Sequence, residues 1–254
     1  MSDGWVPVNA TMHETFTITQ VRRENDRTRT LIFDHALPSQ PGQFVMAWLP
    51  GVGEKPFSIA AADPFSLLVV AVGPMSEAMH RLKVGDRLWV RGPLGQGFRL
   101  PDEPEGKRML LVGGGYGVAP LRFLADRAAD AGCLIDVCIG AGRAGDVLLV
   151  EAFERIGASV VITTEDGSLG TTGLVTDAAE AVIRARRPDI LYACGPVPML
   201  EAVERQSLHH RLPHQLSWEA HMRCGIGLCG SCELEGREGW LVCQDGPIWF
   251  GRVH

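Results

Sequence analysis

Four cysteines constrain this chain more than any other feature. Cys224, Cys229, Cys232 and Cys243 follow the pattern C-x4-C-x2-C-x10-C, which begins in the run Met222-Arg-Cys-Gly-Ile-Gly-Leu-Cys-Gly-Ser-Cys. The first part of that spacing is the one by which plant-type [2Fe-2S] clusters are ligated. Gly225, Gly227 and Gly230 stand among the sulfurs. A loop wrapped around a cluster must turn its N–H groups inward, in backbone conformations that a Cβ resists. Those inward dipoles would stabilise the anion that four thiolates make of a two-iron centre. Zinc is the competing reading, but structural zinc usually takes two close C-x2-C pairs, and only one close pair is present. Disulfides need an oxidising compartment. Seven cysteines in a chain without a recognisable leader segment instead point to the reducing cytoplasm.

A chain of 254 residues accommodates two cored domains and a small appendage. Its net charge of −6, with both signs mixed along the chain, gives no sign of a nucleic-acid surface. No apolar run approaches the roughly 20 residues of a membrane helix. Residues 1–102 read as short strands with Gly/Pro turns: Glu14-Thr-Phe-Thr-Ile-Thr-Gln-Val alternates at period two, and Arg29 to Asp34, Phe44 to Leu49, Ser66 to Val72 and Arg87 to Arg91 follow. Only Ser76 to Leu82 looks helical there, so an antiparallel β-barrel is expected. Residues 103–214 change rhythm. Strand patterns at Lys107, Leu134, Ser159 and Asp189 alternate with helical ones at 119–131, 146–156, 174–187 and 197–208. This implies an α/β domain with a parallel sheet, whose ligands bind at the carboxyl ends of the strands. The loops at 113–118, 164–168 and 194–198 are therefore expected to converge. Residues 215–254 form a small C-terminal iron-sulfur subdomain.

The first loop, Gly113-Gly-Gly-Tyr-Gly-Val-Ala-Pro, has no register of G-x-G-x-x-G. A strand, a glycine-rich turn and a helix N-terminus can still hold a phosphate. The same glycines would serve equally as a tight packing turn. Glu165 and Asp166 follow a strand end, where carboxylates accept from ribose hydroxyls and repel a 2′-phosphate, so NAD is expected over NADP. Arg143 nearby is the opposing sign, against its reading as a solvated loop arginine. Cys194 has no histidine or acid near it in sequence and is read as a small residue rather than a nucleophile. Trp240 and Trp249 bracket Cys243 and would either shield it, meet a partner or simply pack.

The runs Gly113-Gly-Gly-Tyr-Gly-Val-Ala-Pro-Leu, Cys194-Gly-Pro and Lys55-Pro-Phe-Ser resemble motifs of the ferredoxin-NADP reductase superfamily. Gly92-Pro-Leu-Gly-Gln-Gly-Phe, Glu165-Asp-Gly-Ser-Leu-Gly and Val242-Cys-Gln-Asp-Gly-Pro-Ile extend the likeness from about residue 12 to residue 250. Over that span the chain is similar to the iron-sulfur flavoprotein electron-transfer subunits of dihydroorotate dehydrogenase B. The resemblance implies three cofactors: FAD in the barrel, NAD in the α/β domain and a [2Fe-2S] cluster on the four cysteines. It implies that Lys55 contacts the FAD diphosphate, that Ser58 faces the flavin N5 edge, and that Pro56 and Phe57 line the ring. The family has arginine where Lys55 stands, and a lysine keeps the charge without the planar fork. Gly73 and Ser76 would follow the FAD diphosphate, with Ser76 also capping a helix. Gly113, Gly114, Gly115 and Gly117 would meet the NAD diphosphate, and Cys194, Gly195 and Pro196 the nicotinamide. The partner implied is an FMN-containing catalytic subunit that oxidises dihydroorotate, with two copies of each chain. The rival readings are a diaphorase subunit of another oxidoreductase, such as a soluble hydrogenase, and a zinc-stapled nucleotide sensor without redox activity.

Overall fold

The computed structural model describes residues 12–251; the start of the segment 1–102 lies outside them. Six strands close a barrel in the order β1-β2-β5-β4-β3-β6: β1 (Glu14–Arg23), β2 (Thr28–Phe33), β3 (Phe44–Leu49), β4 (Gly53–Ala62), β5 (Phe65–Val70) and β6 (Arg87–Leu94). All pairings are antiparallel, including the β1–β6 pair that closes the ring. Alternation along β1 sends Phe16 and Ile18 inward, where Phe16, Phe33 and Phe65 pack ring against ring at 4.9 to 5.9 Å. Such pairs are favoured beyond their buried area. Among the described residues of this half the one helix, α1 (Pro74–His80), starts two residues earlier than its pattern suggested, because Pro74 occupies the first turn.

β4 was not legible as a strand, since Gly53 and Pro56 read as turn residues. Its first half pairs with β3 alone: Lys55, Pro56, Phe57 and Ser58 stand opposite Ala47, Met46, Val45 and Phe44. Pairing with β5 begins only at Ile59, opposite Leu67, and is interrupted by a bulge before Ala61. Below that point the two strands part, and a proline on the unpaired side loses no ladder hydrogen bond. The parting opens the barrel wall.

The second sheet has seven strands in the order β10-β9-β8-β7-β11-β12-β13. These are β7 (Arg108–Gly114), β8 (Leu134–Ala141), β9 (Ser159–Thr164), β10 (Thr171–Thr172), β11 (Ile190–Cys194), β12 (His214–Ser217) and β13 (Ile248–Gly251). All are parallel except the edge strand β13. The helices are α2 (Val118–Asp130), α3 (Val150–Glu154), α4 (Val175–Arg186) and α5 (Val197–His209). The central strands are near-continuous apolar runs such as Met109 to Val112, as a sheet covered on both faces requires. A boundary after residue 214 falls inside β12, and β13 returns to the same sheet. The cysteine segment is thus an insertion between two neighbouring strands.

Asp136 on β8 is a buried charge, 3% exposed. It accepts from Arg108 Nη1 at 2.8 Å and Arg186 Nη1 at 2.6 Å, tying the end of α4 to the sheet. Both arginines reach solvent, so removing the carboxylate strands no charge in the interior. Asp136→Ala is expected to cost about 2 kcal/mol, below the range for a fully buried pair. Urea unfolding checks this; an unchanged midpoint would refute it.

Candidate functional site

The parted wall of the barrel faces the carboxyl end of the parallel sheet, and between them lies a cleft of about 380 Å³. From the barrel come Lys55, Pro56, Phe57 and Ser58 of β4, Leu68 and Val70 of β5, and Gly73 to Ser76 at the start of α1. From the other side come Tyr116, Gly117, Cys194, Ser217, Trp218 and Glu219. Met222 and Pro247, at the two ends of the cysteine segment, complete it. Among the residues expected at a flavin or nucleotide site, Lys55, Pro56, Phe57, Ser58, Gly73, Ser76, Gly117 and Cys194 therefore share one cleft. Gly113, Gly114, Gly115, Gly195, Pro196, Glu165 and Asp166 are not part of its lining.

Ser76 differs from its expected part. The N-cap of α1 is Gly73, and the Ser76 hydroxyl accepts from the N–H groups of Val72 and Gly73 and donates to the Gly73 carbonyl, all within 3.1 Å. It is not the N-cap; from position N3 it reaches back to the N-cap N–H, the capping-box contact, and so locks the turn entering the helix.

The glycine loop divides by function. A Cβ on Gly113 would lie 2.6 Å from Val118, and one on Gly114 would lie 2.7 Å from the Met199 sulfur. One on Gly117 would lie 2.2 Å from the Cys194 carbonyl oxygen. Gly117 lets the turn after β7 pack onto the backbone at the end of β11, whereas Gly113 and Gly114 make room for side chains of α2 and α5. Gly115 alone faces open space, and its φ of +55° calls for glycine on its own account. The third loop, 164–168, leaves the sheet two strands away from β7. Asp166 there accepts from the Ser168 N–H at 2.9 Å and from its hydroxyl at 2.5 Å, ordering its own loop. Arg143 is held by Asp146 at 3.1 Å, and Asp146 in turn by Arg27 of the barrel at 3.1 Å.

Cys194 is buried, and burial pushes its thiol up to about 12, so it stays protonated in the cleft wall. Tyr116 and Glu219 were missed in the sequence, where 103 residues separate them. Tyr116 donates to Glu219 Oε2 at 3.3 Å, and burial, with Glu219 beside it, lifts the phenol to about 12. Glu219 is exposed at the cleft, and desolvation by the protein packed around it raises its carboxyl above the ordinary 4.5. A raised folded-state value means no electrostatic cost below pH 4.5, where the group is protonated folded or unfolded, and a growing cost as pH climbs through the folded value. Glu219→Gln should therefore raise Tm at neutral pH, with the gain vanishing near pH 4. An equal gain at both pH values would contradict it.

The four cysteines lie in a loop whose glycines adopt left-handed conformations, with φ of +70°, +77° and +69° at Gly225, Gly227 and Gly230. Gly227 N–H points at Cys243 Sγ, 3.2 Å away. Among the described residues no three metal-ligating side chains close on one point. The thiols form pairs instead. Cys232 and Cys243 are buried with sulfurs 3.3 Å apart, and Cys224 lies close enough to the exposed Cys229 to help lower its thiol. Ser231 holds the Cys229 sulfur at 3.1 Å and lowers its thiol to about 6, whereas burial and Cys232 push Cys243 up to about 12. Two thiol pairs and inward N–H groups suit a two-metal cluster better than one tetrahedral ion. The cleft likewise suits a flavin: it is mostly apolar, edged by Phe57 and Tyr116, and beside it Trp218 Nε1 is a buried donor without a partner in the protein. Trp240 and Trp249 pack edge to face at 5.5 Å, and the Arg237 guanidinium lies 3.9 Å above Trp249 while gripping Glu204 of α5. They fasten the cysteine segment to the sheet.

A closed antiparallel barrel, a parallel nucleotide-type sheet and a cleft between them define a reductase of the ferredoxin-reductase class, here carrying a four-cysteine insertion. The description "iron-sulfur cluster binding domain of dihydroorotate dehydrogenase B" matches residues 219–252. The probable dihydroorotate dehydrogenase B (NAD(+)) electron transfer subunit of Thermococcus kodakarensis is 42% identical over 242 residues, covering 94% of this chain and 97% of that one. The corresponding protein of Methanocaldococcus jannaschii is 37% identical over 234 residues, covering 92% and 88%. The chain belongs to the family of dihydroorotate dehydrogenase B electron transfer subunits. Its fold is similar to a solved structure of NADH-dependent reduced ferredoxin-NADP oxidoreductase, with a TM-score of 0.81 and 29% identity over 92% of this chain and 87% of that one.

Proposed function

We propose that this chain is the electron-transfer subunit of an NAD-dependent dihydroorotate dehydrogenase in pyrimidine biosynthesis. It would work in the cytoplasm with an FMN-containing catalytic subunit, two copies of each chain forming the assembly. The observation that carries this reading is the continuity of the cleft with the cysteine loop: Met222 lines the cleft, and Cys224 follows two residues later. When bound, FAD converts between the two electrons of a nicotinamide hydride and the single electrons of a [2Fe-2S] cluster.

Each residue then has a task. Lys55 places a positive charge at the cleft edge for the FAD diphosphate, beside Gly73 and the turn locked by Ser76. Pro56 and Phe57 line the flavin ring, and Ser58 presents its hydroxyl to the ring edge. Gly115 and Gly117, with Gly113 and Gly114 packed behind them, admit the NAD diphosphate. Cys194, kept neutral, and Gly195-Pro196 leave room for the nicotinamide to stack. Glu165 and Asp166 face the adenosine ribose, which favours NAD over NADP. Cys224, Cys229, Cys232 and Cys243 would hold the cluster.

The test is anaerobic affinity purification from the native cell, followed by assay of dihydroorotate-dependent NAD reduction. Recovery of a dihydroorotate dehydrogenase chain with that activity is the expected result. Recovery of a hydrogenase or another oxidoreductase would overturn the substrate assignment, and zinc without iron in the purified chain would overturn the relay itself.

A further inference from the structure

Among the contacts of the cysteine segment with the barrel is a buried charge. Arg91 on β6 is 7% exposed. Its guanidinium grips Glu54 of β4 with two parallel bonds, Nε to Oε1 at 3.0 Å and Nη2 to Oε2 at 3.0 Å. The same Nη2 donates to the backbone carbonyl of Cys224 at 2.9 Å, across 133 residues of sequence. His13 holds the far side of Glu54, its Nε2 3.0 Å from Oε1. Burial alone would lift the Glu54 carboxyl, but the arginine fork and His13 keep it below the ordinary carboxylate value, so the carboxylate is ionised at neutral pH.

The contact is tight on both sides of that bond. Gly225, next in the chain, lies so close to β3 that a Cβ would come within 2.8 Å of Met46 Cγ. Gln96, just past β6, donates its N–H to the Gly246 carbonyl at the other end of the segment, at 2.5 Å. The loop around the first cysteine thus rests directly on the barrel. At that seam Arg91 Nη2 touches the Cys224 carbonyl directly, and the Glu54 carboxylate reaches Cys224 through the guanidinium. In a site of low dielectric such an oriented ion pair acts on a nearby anion over several ångströms. A reduced cluster carries one more negative charge than an oxidised one, so a fixed cation beside it favours reduction.

We propose that Arg91, oriented by Glu54, is a positioning residue for the cluster: it pins the Cys224 carbonyl to the barrel and raises the reduction potential of the centre ligated there. The inference rests on the cluster assigned above and adds to it the part played by a barrel residue.

Two measurements test it on the full chain. The first is a redox titration of the cluster followed by electron paramagnetic resonance in the wild type and in Arg91→Gln, Arg91→Lys and Glu54→Gln. Arg91→Gln should lower the midpoint and Glu54→Gln should raise it, because one removes the near positive charge and the other the distant negative one. Arg91→Lys should stay near the wild-type midpoint with an altered line shape, since the charge survives and the fork does not. A merely structural role would move both charge-removing variants in the same direction or leave the midpoint alone; either result overturns the proposal. The second is hydrogen exchange on the cluster-free chain, which reads the pin without the metal. In Arg91→Gln, exchange should quicken about tenfold or more across residues 222–228 and stay unchanged in β8 and β9, as loss of a charge-assisted bond requires. Unchanged exchange across 222–228 overturns the proposal even if the variant fails to hold a cluster. A wild-type chain without iron or sulfide would instead bring down the functional reading and leave the pin to be judged by exchange.

Discussion

Cys232→Ser is expected to stop electron delivery between this chain and its partner while FAD stays bound and NADH oxidation by artificial acceptors continues. Cys232 is buried with its sulfur 3.3 Å from Cys243. A hydroxyl at that place is a harder, weaker ligand and cannot reproduce the thiolate. The consequence is confined by the architecture. The cleft is lined by β4, β5, the start of α1, the turn after β7 and the end of β11, and of the insertion between β12 and β13 it takes Trp218, Glu219, Ala220, Met222 and Pro247 but none of the four cysteines. The check is a pair of assays on one preparation: ferricyanide reduction by NADH, and transfer between the chain and its catalytic partner. Partner transfer at the wild-type rate would show that electrons do not pass through the cysteine loop.

Gly117→Ala should damage the opposite end of the relay. The added Cβ would lie 2.2 Å from the carbonyl oxygen of Cys194 and 2.5 Å from its carbon. Both are backbone atoms of β11, so no rotamer change relieves the clash. The turns after β7 and β11 must separate, which places the cost at about 3 kcal/mol, the upper part of the usual overpacking range. With the nicotinamide at the site proposed on those turns, NADH oxidation is expected to fall about 100-fold, as a displacement of about 1 Å commonly produces. The iron content and visible spectrum should be retained. Normal NADH oxidation together with a normal Tm would show that the two turns are less tightly joined than the backbone contact implies.

The repeating patterns of this chain were legible because they are local. Alternation over Glu14 to Val21, apolar runs at Met109 and Ile190, and the glycine after Ala131 needed only a window of a few residues. β4 escaped because the unpaired stretch that opens the cleft is the one place where a strand tolerates Pro56. β12 and β13 escaped for another reason: four residues each, they carry too few side chains to establish a period, and they become strands by pairing with a sheet already formed. Lys55, Ser58, Gly117 and Cys194 could be gathered by resemblance, although no spacing relates them. The contacts that organise the junction were out of reach. Glu54 with Arg91 and Tyr116 with Glu219 join residues on different elements, and ordinary surface positions carry the same residue types in any soluble chain.

The insertion of the cysteine loop between β12 and β13 has a consequence for assembly. Both ends of the loop are anchored on paired neighbours, Ser217 opposite Ile248, and β13 follows the cysteines in the chain. The sheet that shapes the nucleotide side therefore reaches its full width only after the metal-binding segment has been made and folded back. Cluster insertion and completion of the sheet become neighbouring events in the life of the molecule. A chain that stalls before receiving iron would hold its four thiols in a loop already closed at the base, prepared for the metal instead of searching for it.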